Sequence, residues 1–140
     1  GTANTAYVEE LRALEKTLDQ FGLDKCLSLL PSLGSWEENC IQKTGIIATT
    51  MKKYPDRPVV WIDADARIIS IPHMLMNMPV GIDFAVHYCY TKRQTNVLNS
   101  GTLYFAPTKE ARELVRLWEK KNVENPKEWD QRNLQAVVKE

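Results

Sequence analysis

The sequence predicts an α/β domain, on three observations. Segments with helical spacing alternate with short apolar runs of strand length. One of these runs, Pro58-Val59-Val60-Trp61-Ile62, stops abruptly at Asp63-Ala64-Asp65, as a strand does when it delivers polar groups to the edge of an α/β sheet. The 140 residues, 44% of them hydrophobic, can fill one core and leave little room for a second domain.

Taken in order, Tyr7, Leu11, Leu14, Leu18 and Phe21 recur three or four apart and predict a helix over 5–21, with Gly22 as its stop. Cys26 to Leu30, closed by Pro31, reads as a short strand. Ser35 with Glu38 three residues on is the reciprocal capping arrangement, opening a helix to about Lys53 with Trp36, Cys40, Ile47 and Met51 inward. The run 58–62 is apolar enough for a strand buried on both faces. Pro72 opens a short helix through Met76, and Ile82–Tyr88 and Leu98–Phe105 read as strands joined by a mobile polar loop over 89–97. Thr108 caps a helix that turns Ala111, Leu114, Val115 and Trp118 inward. Asn125-Pro126-Lys127-Glu128 announces a last helix, with proline in its first position and Leu134, Val137 and Val138 on its buried side.

The totals exclude several classes. Eighteen basic and 18 acidic side chains cancel, and no basic block stands out, which argues against a nucleic-acid partner. No apolar run approaches the roughly 18 residues of a membrane span, and the chain opens on an amphipathic helix, not a signal peptide. Cys26, Cys40 and Cys89 are too far apart for a zinc knuckle or a disulfide framework. They read as buried or half-buried thiols in a reducing compartment, and the expected location is cytoplasmic, or undetermined for a fragment of a longer chain.

The sharpest chemical feature is Asp63-Ala64-Asp65. In a continuing strand, alternation puts both carboxylates on one side, with the small Ala64 opposite. Such a pair repels itself unless a cation lies beside it. Hard oxygen ligands suit Mg²⁺ or Mn²⁺, which also neutralise a departing phosphate. The plainer reading is a surface turn with two solvated acids. Phosphatases of the haloacid dehalogenase type also end a strand in Asp-x-Asp, but their pattern wants Thr two places on, where this chain has Arg67.

Other segments accompany the pair: Gly34-Ser35-Trp36-Glu37-Glu38-Asn39 with Lys43, then Leu98-Asn99-Ser100-Gly101-Thr102-Leu103-Tyr104-Phe105, then Glu128-Trp129-Asp130-Gln131-Arg132-Asn133-Leu134. Together, from about Thr2 to Val138, they resemble the metal-dependent glycosyltransferases of the A-type, nucleotide-diphospho-sugar transferase fold. The resemblance implies a Rossmann-like domain, a mixed central sheet flanked by helices. It also implies that residues 1–140 are a partial domain whose first strand and C-terminal segment are missing, with Thr2, Asn4 and Tyr7 left from the nucleotide pocket. The implied activity is transfer of a sugar from a nucleotide-diphosphate donor, a UDP-sugar by the family's commonest usage, to the hydroxyl of a glycan, protein or small molecule.

On this resemblance Asp65 ligates Mn²⁺ or Mg²⁺, and Asp63 shares the metal or holds the ribose. Lys43 approaches the donor's phosphates or sugar; otherwise it is a solvated helix lysine. Asn99, Ser100 and Gly101 line the donor-sugar pocket, Gly101 allowing close approach to the backbone; otherwise they form a bulge with local bonds. Asp130 faces the reacting sugar as base or hydroxyl anchor, backed by Gln131, or else complements its helix dipole. Asp130 and Asn99 are thus the catalytic candidates, and Tyr7 joins the donor-binding set. Trp129 reads as core or pocket wall, His87 as a structural histidine at the same sheet edge, and His73 as solvent-facing. A sugar-nucleotide-binding module without turnover is the alternative, with the phosphatase third.

Overall fold

The computed structural model describes residues 5–90 and 97–139. Thr2, Asn4 and most of the 89–97 loop fall outside them. The elements run α1 (Thr5–Gln20), α2 (Trp36–Lys53), β1 (Val59–Ile62), α3 (His73–Met76), β2 (Phe84–Cys89), β3 (Val97–Phe105), α4 (Lys109–Glu124) and α5 (Asp130–Lys139).

Local chemistry sets most of the boundaries. Gly22, at φ 62°, ends α1, and the amides of Gly22 and Leu23 bond back to the carbonyls of Asp19 and Leu18. The Ser35 hydroxyl accepts from the Glu38 amide while the Glu38 carboxylate accepts from the Ser35 amide, so the capping box at the head of α2 is complete. Thr108 accepts from the Ala111 amide at the head of α4.

β3 lies between β1 and β2 and pairs antiparallel with both. The sequence suggested a mixed central sheet; every pairing among the described strands is antiparallel. On one face, Val59 and Trp61 of β1, Phe84 and Val86 of β2 and Leu103 and Phe105 of β3 meet Ile47, Met51, Val115, Trp118 and Leu134 from the helices. That layer, α2, α4 and α5 over the sheet, is the core. Val60 points the other way and is 37% exposed, so β1 is not buried on both faces; among the described strands it lies at one side of the sheet.

The β2–β3 ladder is interrupted at one point. Val86 pairs with Leu103 but His87 pairs with Asn99, leaving Ser100, Gly101 and Thr102 without partners on β2. On the β1 side pairing runs on to Ile62 with Thr102, and the Asp63 amide still donates to the Gly101 carbonyl at 2.9 Å. The Asn-Ser-Gly segment is therefore a bulge beside the end of β1, the device by which a strand re-aims its side chains.

Other expectations need correction. Cys26–Leu30 is not a strand: it forms no ladder beyond an isolated bridge at Leu30, and Cys26, Leu27 and Leu29 are exposed, so water can serve the backbone that a sheet neighbour would otherwise pair. The last helix does not begin at Pro126. The Glu128 amide closes a turn onto the Asn125 carbonyl, and α5 starts at Asp130. Trp36 is 49% exposed, not part of the inward face of α2. Tyr7 is likewise exposed, and so is Cys26, although all three cysteines are free thiols. Among the described residues no helix is long and apolar enough to cross a membrane.

Candidate functional site

Three segments far apart in sequence meet around Lys43, which α2 carries two turns past its cap. The side chain crosses to the sheet, and its ammonium lies 3.0 Å from Asp130 Oδ2, 3.2 Å from Asp63 Oδ1, and 3.2 Å from both the hydroxyl and the carbonyl of Ser100. Asp63 is delivered by the end of β1, Ser100 by the bulge, Asp130 by the first residue of α5. Lys43 is 7% exposed and Asp130 3%. The solvated-lysine reading of Lys43 is set aside by this burial.

Each member is held by a second bond. Ser100 Oγ donates to Asp130 Oδ2 at 3.3 Å, and the Ser100 amide donates to Gln131 Oε1 at 3.1 Å. Trp61 Nε1, two residues before Asp63 and on the same side of β1, donates to Asp63 Oδ1 at 2.6 Å. Behind the cluster, Trp118 Nε1 donates to the Asp130 carbonyl at 2.7 Å, fixing the start of α5 against α4. Asn99 is exposed, and its Oδ1 accepts from the Gly101 amide at 2.8 Å. The bulge-with-local-bonds reading of this segment therefore holds as geometry, and the bulge borders the cluster. A Cβ on Gly101 would meet Asn99 Oδ1 at 3.0 Å and Asp63 Oδ2 at 3.3 Å, so a larger residue there must push both aside.

The electrostatics follow from burial and pairing. Burial alone would lower the Lys43 ammonium, but the charges of Asp130 and Asp63, with their hydrogen bonds, outweigh it and hold it above its ordinary value. Cys40, one turn before Lys43, feels the same surroundings, and the Lys43 charge offsets only part of their effect. Burial, reinforced by the negative charge of Asp130, pushes its thiol up to about 11. At pH 8 only about one Cys40 in a thousand is then thiolate, since each pH unit below the pKa is a factor of about ten. Iodoacetamide should accordingly leave Cys40 unlabelled in the folded protein at pH 8 and modify it fully after denaturation, as peptide mass mapping would show.

The two acids of the Asp-x-Asp pair sit in different surroundings. β1 ends at Ile62, and the Ala66 amide bonds to the Asp63 carbonyl, so Ala64 and Asp65 form the middle of a turn. Strand alternation therefore does not extend to Asp65: Asp63 turns inward to Lys43, while Asp65 is exposed and bonds to no other described group. Arg67 pairs with Glu10 on α1 rather than entering the cluster. This contact brings α1 alongside the turn, with Tyr7 one helical turn from Glu10.

A divalent cation can be tested against these groups. Among the described residues no set of three or more acidic, histidine or cysteine side chains is arranged to hold a metal. One open carboxylate at Asp65, with Asp63 nearby, does suit Mg²⁺ or Mn²⁺ arriving with substrate phosphates, since such ions take only one or two protein carboxylates. The residues fit a metal brought by a diphosphate, not an all-protein cage.

His87 is exposed on β2, with Nδ1 3.6 Å from Cys89 Sγ, outside the cluster, and His73 is exposed on α3. A separate groove of about 520 Å³ between α2 and α4, lined by Met51, Pro55, Arg112 and Val115, carries none of the chemistry assembled around Lys43.

No protein-family model matches the chain, and no curated protein matches it. Its fold is similar to that in the crystal structure of a glycosyltransferase involved in the glycosylation of the major capsid of PBCV-1, with a TM-score of 0.71. The likeness covers 97% of this chain and 70% of that one, at 15% identity. At that identity it is a likeness of fold.

Proposed function

We propose that the protein is a metal-dependent glycosyltransferase, or the donor-binding part of one, that moves a sugar from a nucleotide diphosphate to an acceptor hydroxyl. One observation carries the reading: the end of the Asp-x-Asp strand, the Asn-Ser-Gly bulge and the Trp-Asp-Gln helix start, three separate motifs, are joined by hydrogen bonds around one buried lysine. The fold likeness supports it from a different direction. The A-type architecture, with β1–β3 forming part of a larger sheet, belongs to the same proposal.

In this reading Asp65 would hold Mn²⁺ or Mg²⁺ together with the donor's diphosphate, and Asp63 would share the ion or hold the ribose. The ion supplies neutralisation of the departing charge. Lys43 supplies positive charge behind the sugar, Ser100 and Asn99 offer hydrogen bonds to its hydroxyls, and Gly101 keeps the backbone clear. Asp130 anchors a hydroxyl of the reacting sugar or takes the acceptor proton as the acceptor oxygen bonds to the anomeric carbon and the bond to phosphate breaks. A second reading, binding of a sugar nucleotide without turnover, draws on the burial of Asp130, which leaves little of the carboxylate open.

Calorimetry tests the metal assignment. UDP should bind the wild type more tightly with Mn²⁺ than without, by about tenfold or more, and Asp65→Ala should erase that difference. A Mn²⁺ effect of equal size in the variant would overturn the assignment. Donor hydrolysis or transfer then separates catalyst from binding module.

A further inference from the structure

Trp36 and Trp129 lie together on the surface, and the reading above gives them no role. Their ring centroids are 5.4 Å apart with planes at 88°, and they remain 49% and 42% exposed. Edge-to-face contact is the geometry the indole quadrupoles prefer, so the pair is organised in advance of any ligand. Leaving so much indole in water forfeits burial that a purely structural pair would have taken.

Their place is specific. Trp36 opens α2 seven residues before Lys43, which puts both on the same side of the helix about 10 Å apart along its axis. Trp129 immediately precedes Asp130. The pair therefore stands close to the cluster, Trp36 on the helix that supplies its lysine and Trp129 in the turn that leads into α5 and its carboxylate. The surroundings are charged: the Arg132 guanidinium lies over one face of the Trp129 ring, 5.3 Å from its centre, and 3.4 Å from Glu128, whose carboxylate also accepts from the Trp129 amide, so a ligand would stack on the indole surface that Arg132 leaves open.

We propose that the Trp36–Trp129 pair is a carbohydrate platform on which a pyranose ring of the acceptor stacks. The ring hydrogens of a pyranose, made slightly positive by adjacent oxygens, sit well on the negative face of an indole. Its hydroxyls match the donors of Arg132 and the acceptor oxygens of Glu128. A wholly apolar occupant would have to desolvate that ion pair without replacing its hydrogen bonds. A sugar offers both the apolar face and the polar edge. That the sugar is an acceptor rests on the glycosyltransferase reading; that it is a sugar rests on the indole pair and its rim.

The probe is a panel of methyl α- and β-glucosides, galactosides and mannosides, followed by saturation-transfer NMR on the whole chain. At least one should take up saturation from the protein, UDP should not displace it, and Trp36→Ala and Trp129→Ala should each weaken its binding by about tenfold. Trp129→Phe, which keeps an aromatic face, should weaken it less; a thermal melt checks that each variant is folded. If no glycoside binds, if binding is equal in the alanine variants, or if UDP displaces the glycoside, the platform is wrong. In transfer assays the Trp36→Ala variant should show an acceptor KM raised about tenfold with a smaller change in kcat. Transfer with an unaltered acceptor KM removes the platform and leaves the glycosyltransferase reading standing. Glycoside binding that depends on both tryptophans, in a protein that transfers nothing, removes the enzyme and leaves the platform.

Discussion

Lys43→Met should melt roughly 10–15 °C below the wild type, a loss of about 3–5 kcal/mol for a chain of this size. Methionine has nearly the length of lysine and fills the same space, so the loss isolates the charge. What remains is Asp130, 3% exposed, with Ser100 Oγ at 3.3 Å and the opposing cation gone. A buried carboxylate stripped of its partner is among the costliest single defects a core can carry. The double variant Lys43→Met with Asp130→Asn should recover more than half of the loss, because the amide carries no charge to strand. The sign with pH is also fixed. Lys43 titrates above its ordinary 10.5 in the folded protein, so its contribution is complete below that value and is lost as the pH rises through the folded value. The gap between wild type and Lys43→Met should hold through the neutral range and close only above about pH 10.5. Thermal melts across pH measure both effects. A variant within about 3 °C of wild type would mean that the cluster is wet rather than buried.

How much of this was legible in the sequence depended on how local each determinant is. The capping box needed only Ser35 and Glu38, three apart, and the stop at Gly22 needed one residue; both were readable and both are present. Cys26–Leu30 has strand composition, but a strand exists only with a partner, and partners are a property of the whole sheet. Pro126 looked like a helix start because its fixed φ suits one, yet the turn between α4 and α5 closes on Asn125 and takes the proline for itself. The candidate site divides the same way. Asp63, Lys43, Ser100, Asp130 and Gln131 were singled out from four separate segments, and the structure brings all five together. Asp65 and Tyr7 stay outside that network. The three-residue slip between β2 and β3 that turns Ser100 toward Asp130 left no trace beyond Gly101, because register is set across strands. The Trp61 bond to Asp63 was implicit in strand alternation, whereas the Trp118 bond to the Asp130 carbonyl depends on how two helices cross.

Asp130→Asn should lower the rate of sugar transfer, or of donor hydrolysis, by about 10²–10⁴ while costing only a few degrees of thermal stability. The two effects separate because of what each partner retains. Asparagine still accepts from Ser100, and Lys43 keeps Asp63 at 3.2 Å, so neither the fold nor the lysine is left unpaired. What disappears is the negative charge at the start of α5, and with it any capacity to take a proton or to hold a sugar hydroxyl by a charge-assisted bond. Formate added to Asp130→Ala then distinguishes the two roles. A carboxylate acting as base can be replaced in part by a small exogenous one, and the rate should rise with formate concentration. An anchor fixed by geometry cannot be replaced in this way, and the defect should appear in the donor's KM as well as in kcat. A rate in Asp130→Asn within tenfold of wild type would leave this carboxylate a purely structural counter-ion for Lys43, buried to hold α2, α5 and the bulge of β3 together.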